Sequence, residues 1–243
     1  MVRALASAIL FLTRIPLPPL QLDERDFARG AGFFSWVGML IAIPLLLSSQ
    51  LVSSLGAPLA ALITVALWVL ITGGLHLDGL ADSVDGLSGG RGDRARTLEI
   101  MRDSRIGSHG ALALMLVLAL KWAALERALV IGQPIWIMAP IAARFACTLI
   151  LLGFPYARSS GLGSPFVGLP PGPTLITAAG AVAVAAVLIG PWSLVPALIA
   201  SLCAVGVALR MNGLLGGLTG DVYGAAIELA ELAALLEAAA LRP

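Results

Sequence analysis

The sequence predicts an all-α, polytopic membrane protein with six to seven transmembrane helices, built as one integral membrane domain over residues 1–243. Two observations carry this. The chain is 59% hydrophobic and only 12% charged, against roughly 25% charged in an ordinary soluble domain. Its apolar runs, such as 59–71 and 174–189, are also uninterrupted. Backbone polar groups in lipid must pair internally, which leaves helices or a closed barrel. A barrel needs alternating polar and apolar residues, and these runs do not alternate.

Taken in order, Arg3 precedes a short apolar stretch, 4–12, that has the look of a signal peptide but no small-residue cleavage site; it is expected to be retained and interfacial. Windows of about 20 apolar residues then fall near 31–51, 56–75, 110–127, 133–153, 174–191, 192–210 and 222–241. The first contains Gly38 and Pro44, which lipid-buried helices tolerate. The last is the weakest, because Glu228, Glu231 and Glu237 interrupt it. Gly and Pro collect between spans, at 161–165 and 170–173. No internal repeat is visible.

The net charge of +1 argues against nucleic-acid binding, and its distribution orients the chain. With the N-terminus inside, Arg3, Arg14, Arg25, Arg29, Arg91, Arg94, Arg96, Arg102, Arg105, Arg158 and Arg210 face the cytoplasm, against only Arg127 and Arg242 opposite. Basic residues accumulate on the cytoplasmic side, so the expected location is the cytoplasmic, or inner, membrane. Cys147 and Cys203 sit in apolar runs without ligand spacing and read as small hydrophobes.

The longest polar stretch, about 72–110, holds His76, Asp78, Asp82, Asp85, Asp93, Glu99 and Asp103 beside five arginines. Asp78, Asp82 and Asp85 follow i, i+4, i+7 spacing, which puts three carboxylates within about 60° of one helix face. Their repulsion is relieved by a divalent cation, and oxygen-only ligands suit Mg²⁺, which takes one or two carboxylates and completes its shell with water and phosphate. Arg102 and Arg105 flank Asp103, and guanidinium groups bind phosphate oxygens bidentately. The segment therefore points to metal-assisted phosphoryl transfer on the cytoplasmic face. An ordinary solvated loop would pair its aspartates with its own arginines; three carboxylates in one stripe at the end of a span weigh against that. A lone histidine such as His76 is as often a satisfied structural residue as a functional one.

The string Gly73-Gly74-Leu75-His76-Leu77-Asp78-Gly79-Leu80-Ala81-Asp82-Ser83-Val84-Asp85-Gly86, followed by Glu99-Ile100-Met101-Arg102-Asp103-Ser104-Arg105-Ile106-Gly107, resembles the cobalamin synthase family, the adenosylcobinamide-GDP ribazoletransferases. Further resemblance lies in Phe11-Leu12-Thr13-Arg14-Ile15-Pro16, in Pro155-Tyr156-Ala157-Arg158 with Gly161-Leu162-Gly163, and in Gly216-Gly217-Leu218-Thr219-Gly220-Asp221. It spans essentially the whole chain. The resemblance implies a Mg²⁺-dependent enzyme that joins adenosylcobinamide-GDP to α-ribazole or its 5′-phosphate and releases GMP. On this reading Asp78, Asp82 and Asp85 hold the metal; Asp82, Asp103 and His76 serve catalysis; and Arg102, Arg105, Arg14, Arg158 and Asp221 contact substrate. Arg144, Asn212 and Glu228 are further polar residues to place. Arg14 and Arg158 have an alternative as positive-inside anchors, Arg144 and Glu228 as partners within the bundle, and Asp221 as a helix N-cap. Besides the lipid bilayer, pathway enzymes docked on the cytoplasmic loops, or further copies of the chain, are candidate partners.

Two other classes share parts of this signature. A Mg²⁺-dependent lipid phosphotransferase or prenyltransferase also uses aspartate-rich motifs, but with other spacing and neighbours. A membrane transporter would place its polar site near the bilayer midplane, preferably between related halves, whereas these carboxylates lie at one interface.

Overall fold

The computed structural model describes residues 1–158, 161 and 163–240, so Leu162 of the quoted pattern and Arg242 of the charge count lie outside the described residues. Eleven helices carry the described chain: α1 (Val2–Leu12), α2 (Glu24–Gly30), α3 (Phe34–Leu51), α4 (Ala57–Thr72), α5 (Leu75–Gly90), α6 (Arg94–Ile100), α7 (Ser108–Ile131), α8 (Met138–Gly153), α9 (Pro171–Ile189), α10 (Leu194–Leu215) and α11 (Gly220–Ala240). Among the described residues the one extended pairing is a single parallel bridge, Tyr156 with Leu218.

Among the described residues four stretches are long and apolar enough to cross a membrane: Glu24–Leu51, Pro134–Gly153, Pro171–Ile189 and Pro191–Leu215. A fifth arises if α4 and α5, bent by 87°, form one broken span. The two remaining sequence windows, 110–127 and 222–241, fall on α7 and α11, the helices that exchange the buried charges Lys121, Glu228 and Glu231.

The helix at the centre is α11, the one whose acidic residues make it the weakest apolar window. It packs against α5, α7, α8 and α10, and Ala226, Ala230 and Ala234 along it are fully buried. Small side chains let helices approach closely where lipid supplies no hydrophobic drive between them. The glutamates that weaken the hydropathy signal are paired inside the bundle. Lys121 of α7 reaches Glu228 and Glu231, Arg144 of α8 reaches Glu231, and the Lys121 ammonium lies 4.9 Å from the Trp68 ring centroid. The outward residues of α9 are apolar: Ile176, Val187 and Leu188 are each at least three-quarters exposed. A surface of that kind suits hydrocarbon rather than water.

Two features place the polar segment. Gly73 and Gly74 both adopt left-handed backbone, φ 65° and 70°, which only glycine does without steric cost. The chain therefore turns sharply, by 87° between α4 and α5. Arg94 of α6 then donates to the Leu215 carbonyl at 2.7 Å and to that of Ala157 at 3.3 Å. It ties α6 to the ends of α8 and α10. Arg14, whose N–H donates to the Ile71 carbonyl at 2.7 Å, closes the end of α4. The arginine-rich segments thus gather at one end of the bundle.

Candidate active site

The site forms where α5 crosses α11. A Cβ at Gly79 would lie 2.7 Å from the Asp221 carbonyl oxygen, and one at Gly224 would lie 3.2 Å from the His76 Cα. The two glycines set the closeness of this crossing, which brings Asp78 of α5 and Asp221 of α11 to one opening. The bridge between 155–158 and 216–221 completes it: the Ala157 N–H donates to the Leu218 carbonyl and the Leu218 N–H to the Pro155 carbonyl, each at 2.8 Å. Arg158 is thereby delivered to Asp221, Nη2 to Oδ2 at 2.9 Å.

Two chambers result, sharing Asp78 as a common wall. The inner one, about 150 Å³, is walled by Phe11, Phe34, Phe166, Tyr156 and Tyr223, with His76, Arg158 and Asp221 as its other polar side chains. The outer one, about 390 Å³, is lined by Asp78, Asp82, Arg102, Asp103 and Ser104 among others. The exposed positions of Asp78, Arg102 and Ser104 leave it open to solvent.

The carboxylates of α5 divide by partner. Asp85 accepts the Gly107 N–H at 2.7 Å and the Gly110 N–H at 2.8 Å, so both of its oxygens cap the N-terminus of α7, where unpaired amides and the helix dipole favour an anion. Asp78 and Asp82 turn to the outer chamber instead. Burial, followed by the charges of Asp78, Asp221 and Asp85, pushes the Asp82 carboxyl up to about 6, against a smaller pull from Arg158. Asp221 is likewise raised, chiefly by burial. Among the described residues no three His, Cys, Asp or Glu side chains converge on one point. Asp78 and Asp82 with a substrate phosphate nonetheless match the usual magnesium set of one or two carboxylates, phosphate and water.

The remaining predicted residues separate as clearly. Arg102 and Asp103 reach the outer chamber. Arg105 does not line it, because it forks onto Asp103, Nη2 to Oδ2 at 2.6 Å, and that hydrogen bond holds the Asp103 carboxyl down at about 2. His76 lines the inner chamber. Arg14 packs over Gly73 and belongs to neither chamber. Asp221 is not the N-cap of α11: Thr219 accepts the Val222 N–H through its hydroxyl at 3.3 Å, which leaves Asp221 to Arg158. Arg144 and Glu228 are both paired inside the bundle, with Glu231 and Lys121 respectively rather than with each other. Asn212 serves the end of α10 through its backbone carbonyl. Sequence reasoning passed over Tyr156 and Tyr223, although one lies within a quoted motif and the other two residues beyond one.

A sequence model described as cobalamin-5-phosphate synthase matches residues 4–240. Among the curated relatives, a protein of Escherichia coli O45:K1 is 42% identical over 241 residues, covering 95% of this chain and 96% of its own. One of Pseudomonas syringae pv. syringae is 43% identical over 242 residues, covering 96% and 98%. One of Klebsiella pneumoniae strain 342 is 42% identical over 254 residues, covering 97% and 99%. All three are named adenosylcobinamide-GDP ribazoletransferase. No solved structure matches the chain. A match of this extent, in a helical membrane protein whose quoted motifs meet at one crossing, shows that the chain belongs to the cobalamin-5-phosphate synthase family.

Proposed function

We propose that this chain is a Mg²⁺-dependent adenosylcobinamide-GDP ribazoletransferase of the cytoplasmic membrane, working on its cytoplasmic face. It transfers the adenosylcobinamide-phosphate group of adenosylcobinamide-GDP to α-ribazole or its 5′-phosphate and releases GMP. The observation that carries this reading is the shared wall at Asp78: a polar chamber able to take a pyrophosphate opens beside an apolar one able to take an acceptor.

Asp78 and Asp82 are the residues that would hold Mg²⁺, which when bound supplies charge neutralisation to the pyrophosphate. Arg102 lines the same chamber, and a guanidinium there would take phosphate oxygens in bidentate fashion. Asp103 does not suit a proton acceptor, because Arg105 holds it ionised near 2; it fixes the loop that presents Arg102. The ribazole 3′-hydroxyl attacks the cobinamide-side phosphorus, a new P–O bond forms, the bridging P–O bond breaks and GMP departs with its electrons. The hydroxyl proton passes to water in the open outer chamber as the new P–O bond forms. Catalysis by these residues is positioning and charge neutralisation.

The test is GMP release and cobalamin formation by purified, detergent-solubilised protein given both substrates, with Mg²⁺ or with chelator. Metal-dependent product is expected. Folded protein that forms none would overturn the proposal and direct attention to lipid-linked acceptors.

A further inference from the structure

The inner chamber is unlike the outer one, and its character restricts what fits. Three phenylalanines and two tyrosines wall it. Phe11, Phe34 and Phe166 form a continuous cluster with ring centroids 5.3–5.8 Å apart. The Tyr156 and Tyr223 rings are near-parallel, 13° between planes. The charged groups Asp78, Arg158 and Asp221 line the same chamber. One further polar side chain faces it from α5. His76 is only 3% exposed, yet among the described residues neither ring nitrogen has a hydrogen-bond partner. A buried polar group left unpaired costs free energy, and a ligand seated in the chamber that His76 lines would supply the partner.

We propose that the inner chamber seats the planar aromatic base of the acceptor nucleoside, a benzimidazole-class bicycle, with His76 donating a hydrogen bond to its free ring nitrogen. The assignment rests on the ribazole reading and names which chamber and which residue recognise the base. Aromatic surface matches the fused ring, and stacked or edge-on rings gain beyond area alone. A benzimidazole joined to ribose through one nitrogen keeps a single acceptor, the other nitrogen, which a neutral imidazole N–H satisfies. Guanine, the base of the other substrate, displays two acceptors on one edge and an amino donor on the opposite one and would leave most of them unpaired against the phenylalanine wall. The guanosine end therefore belongs outside this chamber. The ribose, pointing away from the base, meets the charged residues at Asp78, where its hydroxyl reaches the phosphates.

The experiment measures nucleoside binding to the full chain in detergent by calorimetry, without the corrinoid substrate, so that no turnover is needed. The probes are α-ribazole, its indole counterpart in which C–H replaces the free ring nitrogen, and guanosine. On the unmodified protein, the indole counterpart is expected to bind about tenfold more weakly than α-ribazole, the loss for leaving one buried donor unmet; guanosine should not compete. His76→Phe should bring the first two probes within about twofold of each other, while His76→Gln, which keeps an N–H donor, should retain part of the preference. Equal binding of α-ribazole and the indole counterpart to the unmodified protein would overturn the proposal, whatever the variants do, and so would guanosine competing on equal terms. Discrimination between the probes without GMP release would leave this assignment standing and overturn the reaction. GMP release with equal KM for the two nucleosides would do the reverse.

Discussion

Removing the Asp85 carboxylate should separate structure from chemistry on α5. Its two oxygens accept the amides of Gly107 and Gly110 at 2.7 and 2.8 Å. Hydrogen bonds to a charged group contribute about 1.5–3 kcal/mol each, and an anion at a helix N-terminus adds about 0.3–1 kcal/mol. These terms are not additive, and water enters the half-buried site when the side chain is cut back. We therefore expect Asp85→Ala to cost about 2–3 kcal/mol and Asp85→Asn, which keeps one acceptor oxygen, about half of that. For a chain of this size 1 kcal/mol moves the midpoint by about 2–4 °C, so Tm in detergent should fall by roughly 4–12 °C for the alanine variant. The protein that remains folded at low temperature should still release GMP. Asp82→Asn is the counterpart: it removes a charge that burial and neighbouring carboxylates already disfavour, so Tm should hold or rise while GMP release is lost. An Asp85→Ala protein that melts like the parent and is inactive would refute this division, because the carboxylate would then serve the proposed phosphate site rather than α7.

Three further outcomes follow from the same geometry. Because the Asp82 carboxyl sits at about 6 in the metal-free protein, it is neutral below that pH and anionic above it; Mg²⁺ affinity measured by calorimetry should rise through pH 6 with proton release, and Asp82→Asn should abolish that dependence. Lys121→Met would strand Glu228 and Glu231 without their shared ammonium. Loss of one buried partner costs about 3–5 kcal/mol, so the detergent-stable yield should collapse, and adding Glu228→Gln should restore part of it. Gly79→Leu would drive α5 from α11 at the Asp221 backbone, and GMP release should fall by at least tenfold, whereas the same change at Gly172, which has open space around it, should leave release unchanged.

Much of the fold was legible because lipid imposes a simple rule: long apolar runs become helices. The windows at 31–51, 133–153, 174–191 and 192–210 each fall on a helical stretch long enough to span. The rule ranks α11 last for the reason that makes it central, since hydropathy counts Glu228 and Glu231 as losses and has no knowledge of Lys121 over a hundred residues earlier. The 87° turn before α5 was hidden as well, although the Gly73-Gly74 pair that permits it stands in the sequence. At the site, helical spacing correctly placed Asp78 and Asp82 together. It also grouped Asp85 with them, because a stripe of 60° is wide enough for its two edges to meet different neighbours. Arg105 looked equal to Arg102 by spacing, yet a residue two positions from Asp103 can fold back on it. The inner chamber was illegible because its walls come from α1, α3, α5, α8, α11 and the segment between α8 and α9, and no local pattern reports a tertiary cavity.

The central place of α11 has a bearing on how the protein is made. Lys121 is synthesised 107 residues before Glu228, so during translation an ammonium must wait near the bilayer without the acids that will later neutralise it. The same late helix brings Asp221 and Tyr223, which means that no earlier intermediate possesses the inner chamber. Docking of α11 thus completes in one step both the pairing of Lys121 and the wall of the inner chamber.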